Sequence, residues 1–363
     1  MRRHWQREPL LVRGAFPAFA DPLSPAEVLA LARSPDAASR LVERRGRAWN
    51  VEHGPFAAAR FRRLGTRDWT VLVQDTNHFS PRAERLLARF DFIPHARIDD
   101  VMVSYAVPGG GVGPHVDSYD VFLLQGRGRR RWRISRQRDL SFVPGLDLRI
   151  LRRFEPEQEW TLEAGDLLYL PPGVAHDGIA ETECLTWSIG FRAPTDRELV
   201  AGFLDYLDER LAPEGGYRDP GAARARHPGA IPAALEAHVA RALSRIRWSA
   251  ADVREFAGRF LTEPKAHVYF TAPSRPLAPA AFAARGARQG IALDPRARLL
   301  FSGTMFFLNG ERVAVPREAR AAIRRLADAR RLEAPVEAHA AAWETLHAWY
   351  LQGLVAFAGK GNR

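Results

Sequence analysis

The sequence predicts a mainly β domain of the jelly-roll kind, followed by a helical region and then a compact, winged-helix-like α+β unit. Three observations carry this. Between Ile98 and Phe191, short apolar runs alternate with Gly- and Pro-rich turns, the pattern of a closed or double-sheet antiparallel barrel. Beyond residue 195 the apolar residues recur at three and four rather than at two. Nearer the C-terminus, Asn309-Gly310 gives a strong hairpin signal and two helix-length segments follow it.

With 363 residues, the chain can hold two or three domains and an ample core. Its 46% hydrophobic and 26% charged residues are those of a soluble globular protein. Cys184 is the sole cysteine, which excludes an intramolecular disulfide and a cysteine-based zinc site and fits a reducing compartment. The basic N-terminus has no apolar signal core, and nowhere do about 18 apolar residues run together, so a cytoplasmic protein without membrane insertion is expected. The formal charge of +11 comes mostly from arginine. It favours a polyanionic neighbour, nucleic acid or a ribonucleoprotein surface, over an acidic small substrate, although an arginine-rich composition gives the same figure with no partner at all.

In chain order, Ser24-Pro25-Ala26-Glu27 starts a helix, with Ser24 as N-cap and Pro25 in the first turn. Arg40 to Val51 and Trp69 to Gln74 read as strands, Pro81 to Phe92 as a helix and Ile98 to Ala106 as a strand. The loop Pro108-Gly109-Gly110-Gly111-Val112-Gly113-Pro114 lacks the Gly-Lys-Ser/Thr of a P-loop and the following helix of a dinucleotide fingerprint. It reads instead as a bend that brings backbone close to a neighbour at the mouth of a site, where only glycine fits.

His115 and Asp117 come next, two apart on a segment read as strand, so both side chains point to one face. About one H-x-[DE] tripeptide is expected by chance from 11 His and 42 acidic residues, so the motif gains its weight from context. With a second His from elsewhere, the pair makes the two-His-one-carboxylate facial triad that suits Fe(II) and leaves positions open for reactants. Past a turn at Gln125-Gly126-Arg127-Gly128, alternation places Arg130 on the apolar face with Trp132 and Ile134. A buried guanidinium needs a partner, because an unpaired charge there costs several kcal/mol. Its planar fork matches a carboxylate, from a protein Asp or from a ligand. Arg129, Arg131 and Arg133 share the other, solvated face, one that could meet RNA.

Strands and tight turns continue through Trp160-Thr161-Leu162, Leu167 to Leu170 and Cys184 to Phe191. In such a barrel the Pro171-Pro172-Gly173 turn can deliver His176 beside the first strand pair, far as it is from His115 in sequence. Ser188 is a small polar residue in an apolar strand, bonded either to backbone or to a ligand. Glu198 to Leu211 has helical spacing, Ala212 to Pro232 is a Pro/Gly/Arg-rich connection, and Leu235 to Leu261 again repeats apolar residues at three and four. After a proline-studded linker, Pro264 to Pro279, Leu299 to Leu308 reads as a strand and Arg312 to Val315 as its return. Pro316 then opens a helix through Ala329, and a second helix covers Glu337 to Phe357. The apolar hairpin SGTMFFLNGERVAV argues for a packing or partner surface and against a DNA-groove reader, while Arg317 to Arg331 could still touch phosphates.

The ordered set PGGGVGPHVDSYDVFLLQGRGRRRW, GDLLYLPPGVAHDG and WSIGFRAP resembles the JmjC-type 2-oxoglutarate oxygenases, and specifically the bacterial ribosomal oxygenases that hydroxylate an arginine of large-subunit ribosomal protein sixteen. The resemblance begins in HWQREPLLVRGAFP and extends into the C-terminal regions. It implies a double-stranded β-helix over 1–195, a helical dimerisation region over 196–263 and a winged-helix-like domain over 264–363. It implies His115, Asp117 and His176 as Fe(II) ligands, Arg130 on the distal carboxylate of 2-oxoglutarate, and Ser188 near that cosubstrate. O2 is the second cosubstrate, and no side-chain general base is implied. The expected activity is hydroxylation at arginine C3, by a homodimer working near ribosomal RNA. Two alternatives stay open: an oxygenase for another protein residue or a small molecule, and a non-catalytic ribosome-associated binding module.

Overall fold

The computed structural model describes residues 3–46, 48–146, 148–211 and 214–359, which form two compact units, Met1–Ala193 and Pro194–Arg363. The first unit is built from strands β1 (Leu10–Val12), β2 (Ser39–Arg45), β3 (Ala48–His53), β4 (Trp69–Val73), β5 (Ile98–Ala106), β6 (Asp120–Gln125), β7 (Arg130–Ser135), β8 (Gln158–Leu162), β9 (Leu167–Leu170), β10 (Ala175–Ala180) and β11 (Cys184–Phe191). Eight of them make one antiparallel sheet in the order β1-β9-β6-β11-β5-β4-β2-β3, and β10-β7-β8 make a second. This is the double-sheet antiparallel architecture expected from the turn spacing.

Period-two alternation sorts the side chains of the large sheet to its two faces. Val121, Leu123, Leu168 and Leu170 meet Trp132, Ile134 and Leu162 of the small sheet in one shared core. Phe122, Leu124, Val101, Val103, Trp187 and Phe191 point the other way, into a core closed by Val28, Leu86, Leu87 and Phe90. The helix Pro25–Leu31 that supplies Val28 begins as expected: Ser24 accepts from the Glu27 N–H, and the Glu27 carboxylate accepts from the Ser24 N–H at 2.7 Å. The single strand expected over Arg40 to Val51 is instead the β2–β3 hairpin, reversing at Gly46, whose φ of +62° suits glycine. The helix over Pro81 to Phe92 is α-helical only to Leu87 and tightens to a 3₁₀ turn at Ala88–Phe90.

In the second unit, Asp196–Leu211 is helical, and the Leu235 to Leu261 periodicity divides into helices Ala233–Leu243 and Ala250–Thr262. Ser249 ends the continuity, because its side chain caps the second helix in a reciprocal box with Asp252. Leu299 to Leu308 is itself a hairpin, Leu299–Ser302 with Met305–Leu308, turning at Gly303. The Asn309-Gly310 turn then pairs Met305–Leu308 with Glu311–Val313 at φ values of 51° and 86°, the primed geometry those residues favour. The last expected helix stops at Leu351, and Val355–Phe357 becomes a strand on Ile291–Leu293. Gly353, at φ +77°, makes the break. The helix Pro279–Gln289 and strand Ile291–Leu293 had no counterpart in the sequence reading. No described helix is long and apolar enough to cross a membrane.

Candidate metal centre

His115 and Asp117 lie on an extended segment that precedes β6, not on a regular strand as expected. A single bridge anchors it: His115 and His176 exchange backbone N–H to carbonyl hydrogen bonds, both at 2.9 Å. The turn after β9 contributes a third tie, from the Gly173 N–H to the Asp117 carbonyl at 2.8 Å. Glycine permits this packing. A Cβ on Gly111 would stand 2.5 Å from the Gly178 carbonyl oxygen, and Gly113 has φ +79°.

The three side chains converge. One ligand atom from each of His115, Asp117 and His176 lies within 4.8 Å of the other two, with His176 Nε2 at 3.5 Å and His115 Nε2 at 3.9 Å from the Asp117 carboxylate. Both histidines use the same device to fix the ring, since each Nδ1 stands 2.9 Å from the carbonyl two residues earlier, Gly113 or Val174. Such a bond assigns the proton to Nδ1 and leaves Nε2 with its lone pair. Burial, and then the charge of His115, push the His176 pKa down to about 4 against the pull of Asp117. The neutral ring is the form that ligates, so the N,N,O set fits an ion that takes imidazole and carboxylate on one face.

Arg130 behaves as its alternation demands. It is 5% exposed and shares a face with Trp132 and Ile134. Nη1 donates to Ser104 Oγ at 3.1 Å, while Nε and Nη2 are buried with no acceptor. Of the two partners expected, the protein Asp is missing among the described residues. The guanidinium lies 5.8 Å from the Trp132 ring, and that ring lies 6.0 Å from His176, so the indole links the unpaired cation to the metal set. The other three arginines are not a free basic face. Arg133 is paired with the buried Asp177, and Arg131 and Arg129 stand 3.8 and 3.7 Å from Glu159 and Glu181.

A JmjC domain model matches residues 85–199, and a ROXA-like winged-helix model matches 245–356. The ribosomal protein uL16 3-hydroxylase of Escherichia coli K12 is 37% identical over 320 residues, spanning 87% of this chain and 85% of that protein. The chain belongs to the JmjC ribosomal oxygenase family. A probable ribosomal oxygenase of Haemophilus influenzae is 39% identical over 56% of this chain and 51% of its own length. The solved Escherichia coli ribosomal oxygenase YcfD in complex with cobalt and 2-oxoglutarate superposes with a TM-score of 0.82 at 34% identity, covering 99% of this chain and 97% of that one.

For a member of this family, the remaining interior polar residues gain meaning. Ser188 on β11 pairs in register with Met102 of β5 and Leu123 of β6, and Thr186 two residues earlier pairs with Ser104. Ser188 and Ser104 therefore share the inner face of the large sheet. Sequence reasoning missed Ser104, although the Met102-Val103-Ser104 alternation carried the signal. It also missed an acidic group further along β5. A Cβ on Gly190 would lie 3.5 Å from Asp100 Oδ1 and 3.7 Å from the Tyr119 ring, so Asp100 and Tyr119 flank that glycine. Burial raises the Tyr119 hydroxyl pKa far above the usual range, and the charges of Asp117, Asp100 and Asp99 add to it.

Proposed function

We propose that the chain is an Fe(II)- and 2-oxoglutarate-dependent protein hydroxylase acting on an arginine side chain, at C3, of a large-subunit ribosomal protein. The observation that carries this is Arg130: a buried cation with two donors unsatisfied, next to a ring that touches the metal set. A binding module would gain nothing from such a group, which costs stability until an anion arrives.

His115, Asp117 and His176 would hold the metal through two imidazoles and a carboxylate, a set that suits Fe(II) and leaves it positions for reactants. When bound, Fe(II), 2-oxoglutarate and O2 supply the oxidation, with one oxygen atom leaving in succinate, the other in the hydroxylated product, and CO2 released. Arg130 clamps the far carboxylate of the cosubstrate with its fork, held in orientation by Ser104. Ser188, on the same face, lines the space beside that clamp. Trp132, Val121, Leu123 and Leu170 keep the interior dry around it.

The substrate end is acidic. Asp100 shares a face of β5 with Met102 and Ser104, four residues or about 13 Å along the strand from Ser104. Asp100 flanks Gly190 together with Tyr119 at that end, and a carboxylate there suits a guanidinium better than a neutral imidazole. The helices 196–211 and 233–243 expose Val200, Leu204, Val239 and Leu243. A second copy of the chain covering them makes the working form a homodimer, with these two helices in its seam and the winged-helix part following them. It works in the cytoplasm near ribosomal RNA.

The test is succinate release by the purified protein with Fe(II), 2-oxoglutarate and O2. Turnover that rises when large-subunit ribosomal protein is added, and vanishes in His176→Ala, supports the reading. Metal binding without any turnover would hand the site to a binding module.

A further inference from the structure

The opposite face of the small sheet holds a cavity of about 280 Å³, lined by Arg44, Trp49, Gly111, Gly113, Arg133 and Asp177 among others. Asp177 alternates with His176 and Gly178 along β10, so this cavity lies on the other side of the strand from the metal set. We propose that it is a nucleotide-phosphate subsite, in which Arg44 and Arg133 take the phosphate and Trp49 takes the base.

Four observations point there. First, the charge lining the cavity is unbalanced, two guanidinium groups against one carboxylate. Second, Arg133 spends Nη2 on Asp177 but its side chain is still 29% exposed where it lines the cavity. Third, the N–H groups of Gly111, Val112 and Gly113 donate no hydrogen bond among the described residues, and Gly113 is at φ +79°. Gly111 and Gly113 line the cavity, so their N–H groups are available beside an anion there. Fourth, Trp49 is only partly buried, with Arg44 5.7 Å from its ring, so an aromatic surface and a cation stand side by side in the cavity wall.

A phosphate alone would use the arginines and the loop. A nucleotide uses the indole as well, and the size of the cavity, near the lower end for ligand pockets at about 300 Å³, suits one nucleotide unit. The unit comes either as a free mononucleotide or as one residue of a single-stranded RNA. The subsite does not depend on the iron chemistry, and its test reads binding, not turnover.

The experiment is calorimetric titration of the full-length protein with AMP, inorganic phosphate, adenosine and a short single-stranded RNA, repeated on Arg44→Glu and Trp49→Ala. AMP should bind more tightly than phosphate or adenosine. The Arg44→Glu substitution, on an exposed side chain, should weaken AMP at least about ten-fold, and Trp49→Ala should remove the preference for AMP over phosphate. Affinity should fall with added salt. RNA binding well above AMP identifies a strand as the occupant, and equal affinities identify the free nucleotide. Absence of binding by both AMP and RNA, or binding undiminished in Arg44→Glu, overturns the proposal.

Discussion

Replacing Arg130 by methionine should separate stability from function in a measurable way. In the unliganded protein this guanidinium keeps one hydrogen bond, to Ser104, and leaves Nε and Nη2 without acceptors at 5% exposure. An uncompensated interior ion costs several kcal/mol, whereas the single lost hydrogen bond is worth about 1 kcal/mol. Methionine keeps an apolar stem in the same place. The unliganded Arg130→Met protein should therefore melt no lower than wild type. The cosubstrate suffers the opposite effect, because its far carboxylate loses its counter-charge. Breaking such a buried pair costs about 3–5 kcal/mol, or about two to three and a half orders of magnitude in Kd. Differential scanning calorimetry without 2-oxoglutarate and anaerobic titration with it on the Mn(II)-loaded protein read the two quantities. A variant that unfolds well below wild type, or binds 2-oxoglutarate within a few-fold of it, would refute the reasoning.

Three further outcomes are expected. His176 resists protonation until about pH 4, while an unfolded histidine takes its proton near 6.5. Below 6.5 the unfolded chain thus binds a proton the native state refuses, and metal-free stability should fall as pH drops through that window, with a smaller slope in His176→Gln, read by urea unfolding. Gly111→Ala places a Cβ 2.5 Å from the Gly178 carbonyl and pushes the loop that carries His115; metal titration should give an affinity about ten-fold weaker or worse. Asp120 is fully buried and accepts from Tyr169 at 2.6 Å, Arg97 at 2.9 Å and Gln6 at 3.0 Å, so Asp120→Ala should cost about 3–5 kcal/mol in urea denaturation, as loss of one partner of a buried pair does.

The cluster of His115, Asp117 and His176 was legible because residue type and order carried it: His115-x-Asp117, a Pro-Pro-Gly turn and His176 need no side-chain geometry to be found. Arg130 was legible too, since Trp132 and Ile134 marked its face. The regular strand expected under His115 was not there, because the glycine loop and the Gly173 turn tie that segment with single bonds in place of a ladder. Ser104 and Asp100 escaped notice for a different reason. Each is an ordinary polar residue in an apolar strand, and only the register of β5 against β11 shows which interior they enter. The opposing arginines show the limit of counting charge along one strand. Glu159, Asp177 and Glu181 come from β8, β10 and the turn after β10, and pairing across strands decides whether a basic run stays free.

The central claim meets its most direct test in tandem mass spectrometry of large-subunit ribosomal proteins incubated with this enzyme, Fe(II), 2-oxoglutarate and O2. The account predicts one added oxygen atom on the C3 of a single arginine, absent when His115→Ala replaces the enzyme. Succinate formed at full rate with every ribosomal arginine unmodified, or oxygen found on another residue type, would contradict it.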